Sequence, residues 1–267
     1  MFPDPLRFLI GTLVLFAVFS LLNQLRSKDQ RLPLLRRGFW TDLAYWIFTP
    51  FIAKAMTKVA VALAILPIAL LAYGAFDIEA VKHGFGPLSR LPYWQQAIGI
   101  LVLGDFIGYW MHRGFHGARL WDFHAVHHSS TDLDWLSSVR LHPVNDVIMR
   151  LSVTLPVVAL GFAPLAVAAI TPVLTLMAIL VHANLDWDWG PLRKVLVSPR
   201  FHRWHHTNEG EARDKNFAGL LPLWDILFGT YAMPSHRTPR GFGTQSPVPA
   251  TLVGQLLYPF QRRRSER

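Results

Sequence analysis

The chain of 267 residues contains no cysteine. That absence removes disulfides, thiolate zinc sites, iron–sulfur ligation and cysteine nucleophiles together. Charge is scarce as well. Only 16% of residues are charged, against roughly 25% in a soluble globular domain. Acids are outnumbered by bases, 17 to 26, for a net charge of +9. No Gly-x-Ser-x-Gly elbow, Walker A sequence or Gly-x-Gly-x-x-Gly fingerprint occurs. The commonest signatures of serine hydrolysis, P-loop phosphate binding and dinucleotide binding are therefore missing. There is no repeat and no low-complexity stretch.

What is present is apolar. Hydrophobic residues make up 52% of the chain, and a helical membrane span needs roughly 20 of them in a row. Spans are expected at about 6–22, 51–73, 92–111, 144–161 and 164–182. The first has neither a basic leader nor an Ala-x-Ala site, so it reads as a retained span, not a cleaved signal peptide. Trp40–Phe51 reads as an interfacial helix ahead of the second span. Gly161 and Pro164 mark the turn between the last two. Arg26, Lys28, Arg31, Arg36 and Arg37 form a basic loop after the first span, and Arg237, Arg240, Arg262, Arg263, Arg264 and Arg267 lie in the tail. The positive-inside rule puts both on the cytoplasmic side, with the N-terminus outside. Membrane topology accounts for the basic charge, and no nucleic-acid partner is expected. Spans and polar segments interleave, so 1–267 reads as one all-α membrane domain.

Three histidine boxes carry the chemistry: His112-Arg-Gly-Phe-His116, His124-Ala-Val-His127-His128 and His202-Arg-Trp-His205-His206. On a helix, residues three or four apart are neighbours, with roughly 5–6 Å between Cβ atoms. Each box should therefore present two or three imidazoles to one point. Imidazole binds zinc, copper, iron or nickel at neutral pH. A closed zinc site takes four protein ligands, so eight box histidines exceed one ion and suit two. His182, at the end of a span, is the natural ninth ligand. All these boxes fall on one expected membrane face, which gives a histidine-rich dimetal cap on the cytoplasmic side.

Other polar residues near the boxes are candidate partners of the ligands. Ligating histidines commonly give their second N–H to a carboxylate. Asp105 lies seven residues before His112 on one helix face and can orient His112 or His116. His142, Asn184 and Asn208 are further candidates for the same supporting role, and Asp122 is a weaker one. Asp132 and Asp134 read as solvated, and His83 and His236 as ordinary histidines. Spacing does not separate iron from zinc. A dizinc hydrolase would need a carboxylate base. The boxes hold none, although Glu209 and Glu211 follow the third. A metal transporter or metal-binding scaffold would need polar residues in several spans, and Asp105 is nearly alone there.

The order of boxes resembles the fatty acid hydroxylase/sterol desaturase superfamily. The likeness includes Asp105-Phe-Ile-Gly-Tyr-Trp-Met-His112-Arg, Trp121-Asp-Phe-His-Ala-Val-His-His-Ser129, Ser138-Val-Arg-Leu-His-Pro-Val-Asn145 and His182-Ala-Asn184. It continues through Ser198-Pro-Arg-Phe-His-Arg-Trp-His-His-Thr207, Asn216-Phe-Ala-Gly and Leu223-Trp-Asp-Ile-Leu-Phe-Gly-Thr-Tyr231. It covers about 92–232. The resemblance implies an O2-dependent lipid hydroxylase, with desaturation as the second outcome, working on a fatty acyl, sterol or related chain from the bilayer. It implies two iron ions, with zinc as the alternative occupant. The implied ligands are His112, His116, His124, His127, His128, His202, His205 and His206, with His182 as a ninth. No second histidine stands four residues before His182, where some hydroxylases of the group have one. No His-Pro-Gly-Gly haem signature is present, so a separate donor is expected: a ferredoxin, rubredoxin or cytochrome b5-like protein. Trp110, Trp121, Trp135, Trp187, Trp189 and Trp204 are candidates for channel walls or interfacial anchors. Short loops and the lack of a retrieval signal point to a bacterial inner membrane.

Overall fold

The structure is a computed structural model that describes residues 4–25, 30–73, 82–117, 119–234 and 237–265. Arg26, Lys28, His236 and Arg267 lie outside the described residues. The first helix, α1 (Pro5–Asn23), starts at Asp4, whose carboxylate accepts the Arg7 N–H, with Pro5 in the first turn. That is a normal helix start, where proline has no N–H to lose. Leu6, Leu9, Leu13 and Leu21 then face outward, while Phe8, Leu15, Phe16, Phe19 and Leu22 pack inward. Such a surface needs lipid around it.

The next helical run shows how a proline is absorbed. α2 (Phe39–Phe48) passes through a π-turn at Thr49–Ala53 into α3 (Lys54–Tyr73). Pro50 cannot donate in an α-ladder, and the wider π-turn accommodates it without ending the helix. The expected separate interfacial helix is therefore the start of one continuous run. The 33 residues Phe39–Leu71 extend roughly 50 Å at 1.5 Å per residue, well beyond a hydrocarbon core of roughly 30 Å. The surplus is at the N-terminal end, where Asp42, Tyr45 and Trp46 are buried in protein.

A short turn, α4 (Gly86–Ser89), precedes α5 (Tyr93–Phe115), which ends in the first box. α6 (Trp121–His128) carries the second box. A 3-10 turn at Trp135–Val139 leads to the hairpin of α7 (Pro143–Ala159) and α8 (Pro164–His182). Gly161 makes that hairpin possible. Its φ is 88°, and a Cβ there would collide with the Phe85 carbonyl oxygen. α9 (Pro199–His205) carries the third box, and α10 (Leu223–Leu227) and α11 (Leu252–Ser265) follow. Among the described residues all regular structure is helical, apart from a single bridge between Thr207 and Phe242.

Three helical runs are long and apolar enough to cross a membrane by length and composition: α1, the Phe39–Leu71 run and α8. The chain is an integral membrane protein. α5 and α7, also read as spans from sequence, fall short of that measure. α7 has 17 residues, and α5 carries Gln95, Gln96, Asp105, His112 and Arg113. α5 packs against α7 and α8, and α3 packs along α7. An apolar cluster of Ile100, Val157, Phe162, Ala163 and Ala166 joins three of these helices, roughly 18 Å along α5 from His112 at helical rise. A second cluster, Tyr109, Val181, Val197, Phe201, Phe217 and Ala218, seats the loops beneath the histidines. The helices thus fix where α5 and α8 end, and both end at the boxes.

Beside the boxes lies a buried ionic knot. Asp42 accepts from Arg36 at 2.7 Å and from Arg140 at 2.6 Å. Asp134 pairs with Arg36 and also caps the Trp135–Val139 turn. Arg36 and Asp134, expected in a solvated loop and on the surface respectively, are structural instead. Two arginines brought into apolar surroundings require carboxylates beside them, and Asp134 supplies one.

Candidate metal centre

The nine histidines expected as ligands converge. His112, His116, His124, His128 and His205 form one group, and His127, His182, His202 and His206 form the other. Within each group one nitrogen of every ring lies within 4.8 Å of the rest. The two groups adjoin, with His128 stacked on His206 at 4.4 Å between centroids.

Each H-x-x-H-H box is divided between the groups, contrary to the expectation that a box serves one point. His124 and His128 go one way and His127 the other; His202 and His206 go one way and His205 the other. Helix geometry explains the split. At 3.6 residues per turn, position i+4 sits about 40° past position i and position i+3 about 60° short of it. The i,i+4 pair stays together, and the i+3 ring turns roughly 100° away from its neighbour.

The outer nitrogens set the tautomers. Nδ1–H of His112 donates to the Phe217 carbonyl at 2.8 Å, and that of His205 to Lys215 at 2.9 Å. His127 donates to Arg140 at 3.1 Å and His182 to Ala178 at 2.6 Å. A carbonyl oxygen only accepts, so each of these rings carries its proton on Nδ1 and turns a bare Nε2 lone pair inward. His124 Nδ1 meets Asn145 Oδ1 at 2.8 Å, and His116 Nδ1 meets Asp214 Oδ1 at 2.8 Å.

This arrangement tests whether cations fit. Nε2 of His127 and His182 are 3.2 Å apart, and Nε2 of His112 and His124 are 3.0 Å apart. All four rings have their protons committed outward, so no proton lies between the members of either pair. Two such lone pairs repel unless a cation sits between them. Nitrogens bound to one ion at about 2.0–2.1 Å are separated by about 2.9–3.4 Å, which is the spacing found. Nε2 of His116 and His205 are buried with no hydrogen-bond partner, as ligands awaiting an ion would be. Both groups can therefore hold metal ions. Electrostatics agree. Burial, first, and then the neighbouring imidazoles push His124, His127, His128, His202, His205 and His206 well below the usual histidine range. Neutral rings are the ligand form.

The supporting residues differ from those expected. Asp105 contacts no histidine. Its carboxylate accepts the backbone N–H groups of Leu220 and Leu221, each at 2.8 Å, and the indole N–H of Trp224 at 2.9 Å. It pins the loop that follows the ligand-holding segment. That segment, 214–217, presents Asp214, the Lys215 carbonyl and the Phe217 carbonyl to three rings of one group. Asn216 locks it, with Nδ2 donating to Phe201 and Ala232 carbonyls and Oδ1 accepting the Ala232 N–H. Asp225 locks it again by accepting the N–H groups of Phe217 and Ala218. Asp214 and Asn216 have φ of 56° and 59°, a region that Asp and Asn enter more readily than most residues.

His142 is neither a ligand nor a partner of one. It caps α7 by accepting the Val144 N–H and donates to the Leu256 carbonyl, tying α11 to α6 through Phe123 and Phe260. Asn184 donates to Asn23 and to the Gln30 carbonyl, fastening the end of α1. Asn208 donates to the Phe242 carbonyl. His83 contacts Tyr93, away from the boxes. Glu209 and Glu211 are both paired with Arg237, which occupies the carboxylates a hydrolase would use as base. Asn145 is the supporting residue missed; its signal is a buried amide in the first turn of an apolar helix. Asp214 and the four carbonyls leave no such trace.

A cleft of about 450 Å³ reaches one group. It is lined by His116, His128 and His205 together with Trp121, Arg213, Asp214 and other polar residues. The remaining tryptophans expected around the boxes are dispersed: Trp135 and Trp204 are buried, while Trp110 and Trp187 are exposed.

Comparison with known proteins identifies the family. Residues 97–230 match the family model described as fatty acid hydroxylase. The ornithine lipid hydroxylase OlsE of Rhizobium tropici is 30% identical over 95% of this chain and 75% of its own length. The alkylglycerol monooxygenase of Danio rerio is 33% identical over 57% of this chain, which spans only 33% of that relative. The very-long-chain aldehyde decarbonylase GL1-11 of Oryza sativa subsp. indica is 29% identical over 62% of this chain and 63% of its own. No solved structure matches. The family match spans all nine converging histidines, and this chain belongs to the fatty acid hydroxylase family.

Proposed function

We propose that the nine histidines hold two iron ions, through which this O2-dependent lipid hydroxylase oxidises a C–H bond of a membrane lipid. Two iron ions bound there would supply oxygen activation and the oxidising power for an unactivated C–H bond. The balance is RH + O2 + 2 electrons + 2 protons giving ROH + H2O. The electrons come from a separate carrier of the ferredoxin, rubredoxin or cytochrome b5 type.

The chain's own part is to hold and to orient. Carbonyls of Phe217, Lys215, Arg140 and Ala178 aim the ligand rings, and burial keeps those rings neutral. Burial of the rings excludes bulk water from most of the centre. The apolar helices keep the site within reach of bilayer lipid, and the basic segments favour a cytoplasmic site in a bacterial inner membrane. The observation that carries the reading is the convergence of nine ring nitrogens in two adjoining groups. The relatives named as lipid hydroxylase and monooxygenase support the reaction class.

The test is metal content and oxygen-dependent turnover after anaerobic purification. His127→Ala and His205→Ala, one from each group, should insert normally, lose metal and lose essentially all turnover. Full metal and full turnover in both variants would falsify the ligand assignment. Zinc in place of iron, with activity independent of oxygen, would favour a hydrolase.

A further inference from the structure

The two histidine groups differ in how they meet solvent. His127, His182, His202 and His206 are all buried, and none of them lines the 450 Å³ cleft. Three of the other five, His116, His128 and His205, form one wall of it. An ion held by the five could therefore be reached from outside without opening the protein.

His116 is also held differently. It follows the last residue of α5, as the helix cap. Its Nε2 is buried and unpartnered. Its Nδ1 is held by Asp214, whose side chain is 56% exposed at the cleft. The other outer nitrogens with known partners rest on backbone carbonyls or on buried Asn145. Trp121 and Phe217 pack against this ring, but the hydrogen bond that sets its rotation comes from a solvent-facing side chain on a loop. We propose that the five-histidine group gains and loses its ion through this cleft, with Asp214 as the latch that keeps His116 in the ligand position. This inference rests on the two-ion reading above. It makes the two ions unequal: one exchangeable, one enclosed. Asp214 is a positioning residue, acting through His116.

The full-length protein in detergent, loaded anaerobically with ferrous iron, can be challenged with 2,2′-bipyridine and the released iron followed by colour. Release should come in two phases of one ion each. Asp214→Gly, which keeps the left-handed backbone accessible, should speed the fast phase about 10-fold, the low end for loss of a ligand's supporting partner. Its slow phase should stay as in the parent. Asp214→Asn keeps both the backbone preference and an acceptor, and should return the fast phase most of the way to the parent rate. Release of both ions in one phase, or equal acceleration of both phases by Asp214→Gly, overturns the proposal. A parent protein that never holds two ions would instead sink the two-ion reading, and this proposal with it. Activity is not needed for any of these readouts.

Discussion

Along α1, Leu6, Leu9, Leu13 and Leu21 are each more than half exposed, while Asp42, Ser137, Asn216 and Asp225 around the histidines are fully buried. A soluble protein would reverse both patterns. In the base, lipid solvates the apolar side chains and each helix satisfies its own backbone. In the cap, these four buried polar side chains persist because each has a partner, drawn in most cases from distant parts of the chain. The base therefore tolerates change wherever a side chain meets lipid. The cap depends on specific pairs, and removing one member leaves the other buried and uncompensated.

The largest effect outside the ligands should come from Asp42→Ala. It takes from buried Arg140 its carboxylate and leaves buried Arg36 with Asp134 alone, and loss of one partner of a buried ion pair costs about 3–5 kcal/mol. Because the Arg140 carbonyl also holds His127, metal should be lost along with stability. Thermal unfolding in detergent, with metal analysis, checks both; an unchanged melting temperature would mean that the knot does not hold the cap.

Asp105→Ala comes next. It leaves the N–H groups of Leu220, Leu221 and Trp224 without their acceptor, at roughly 1–3 kcal/mol for each group that stays buried. The loosened loop should carry the Phe217 carbonyl away from His112, so iron should fall mainly from the five-histidine group. Bipyridine titration distinguishes this outcome from uniform loss. The smallest effect should be that of Leu9→Ala on the lipid face, within about 0.5 kcal/mol, as for most exposed substitutions. A shift as large as that of Asp105→Ala would mean that this face of α1 packs against protein.

The boxes were legible because their spacing is local. Rings four apart share a helix face whatever the rest of the chain does, and eight histidines are too many for one ion. The apolar runs were legible for the same reason. Pro50 misled, because a proline reads as a break unless a π-turn absorbs it. Asp105 misled because its helix face points toward His112 in sequence, whereas a loop more than a hundred residues away offered it three N–H groups. Asp134 read as solvated because its partner Arg36 is 98 residues away.

Residue types and their short-range spacing were enough to point to membrane helices and to nine histidines as candidate metal ligands. The division into five and four, the outward protons that bare the inner lone pairs, and the open cleft beside His116 came only from the folded chain. The reason is physical: the groups that set them are mostly backbone carbonyls and loop side chains. Every residue has a carbonyl, and which one meets a given ring is decided by packing over long separations.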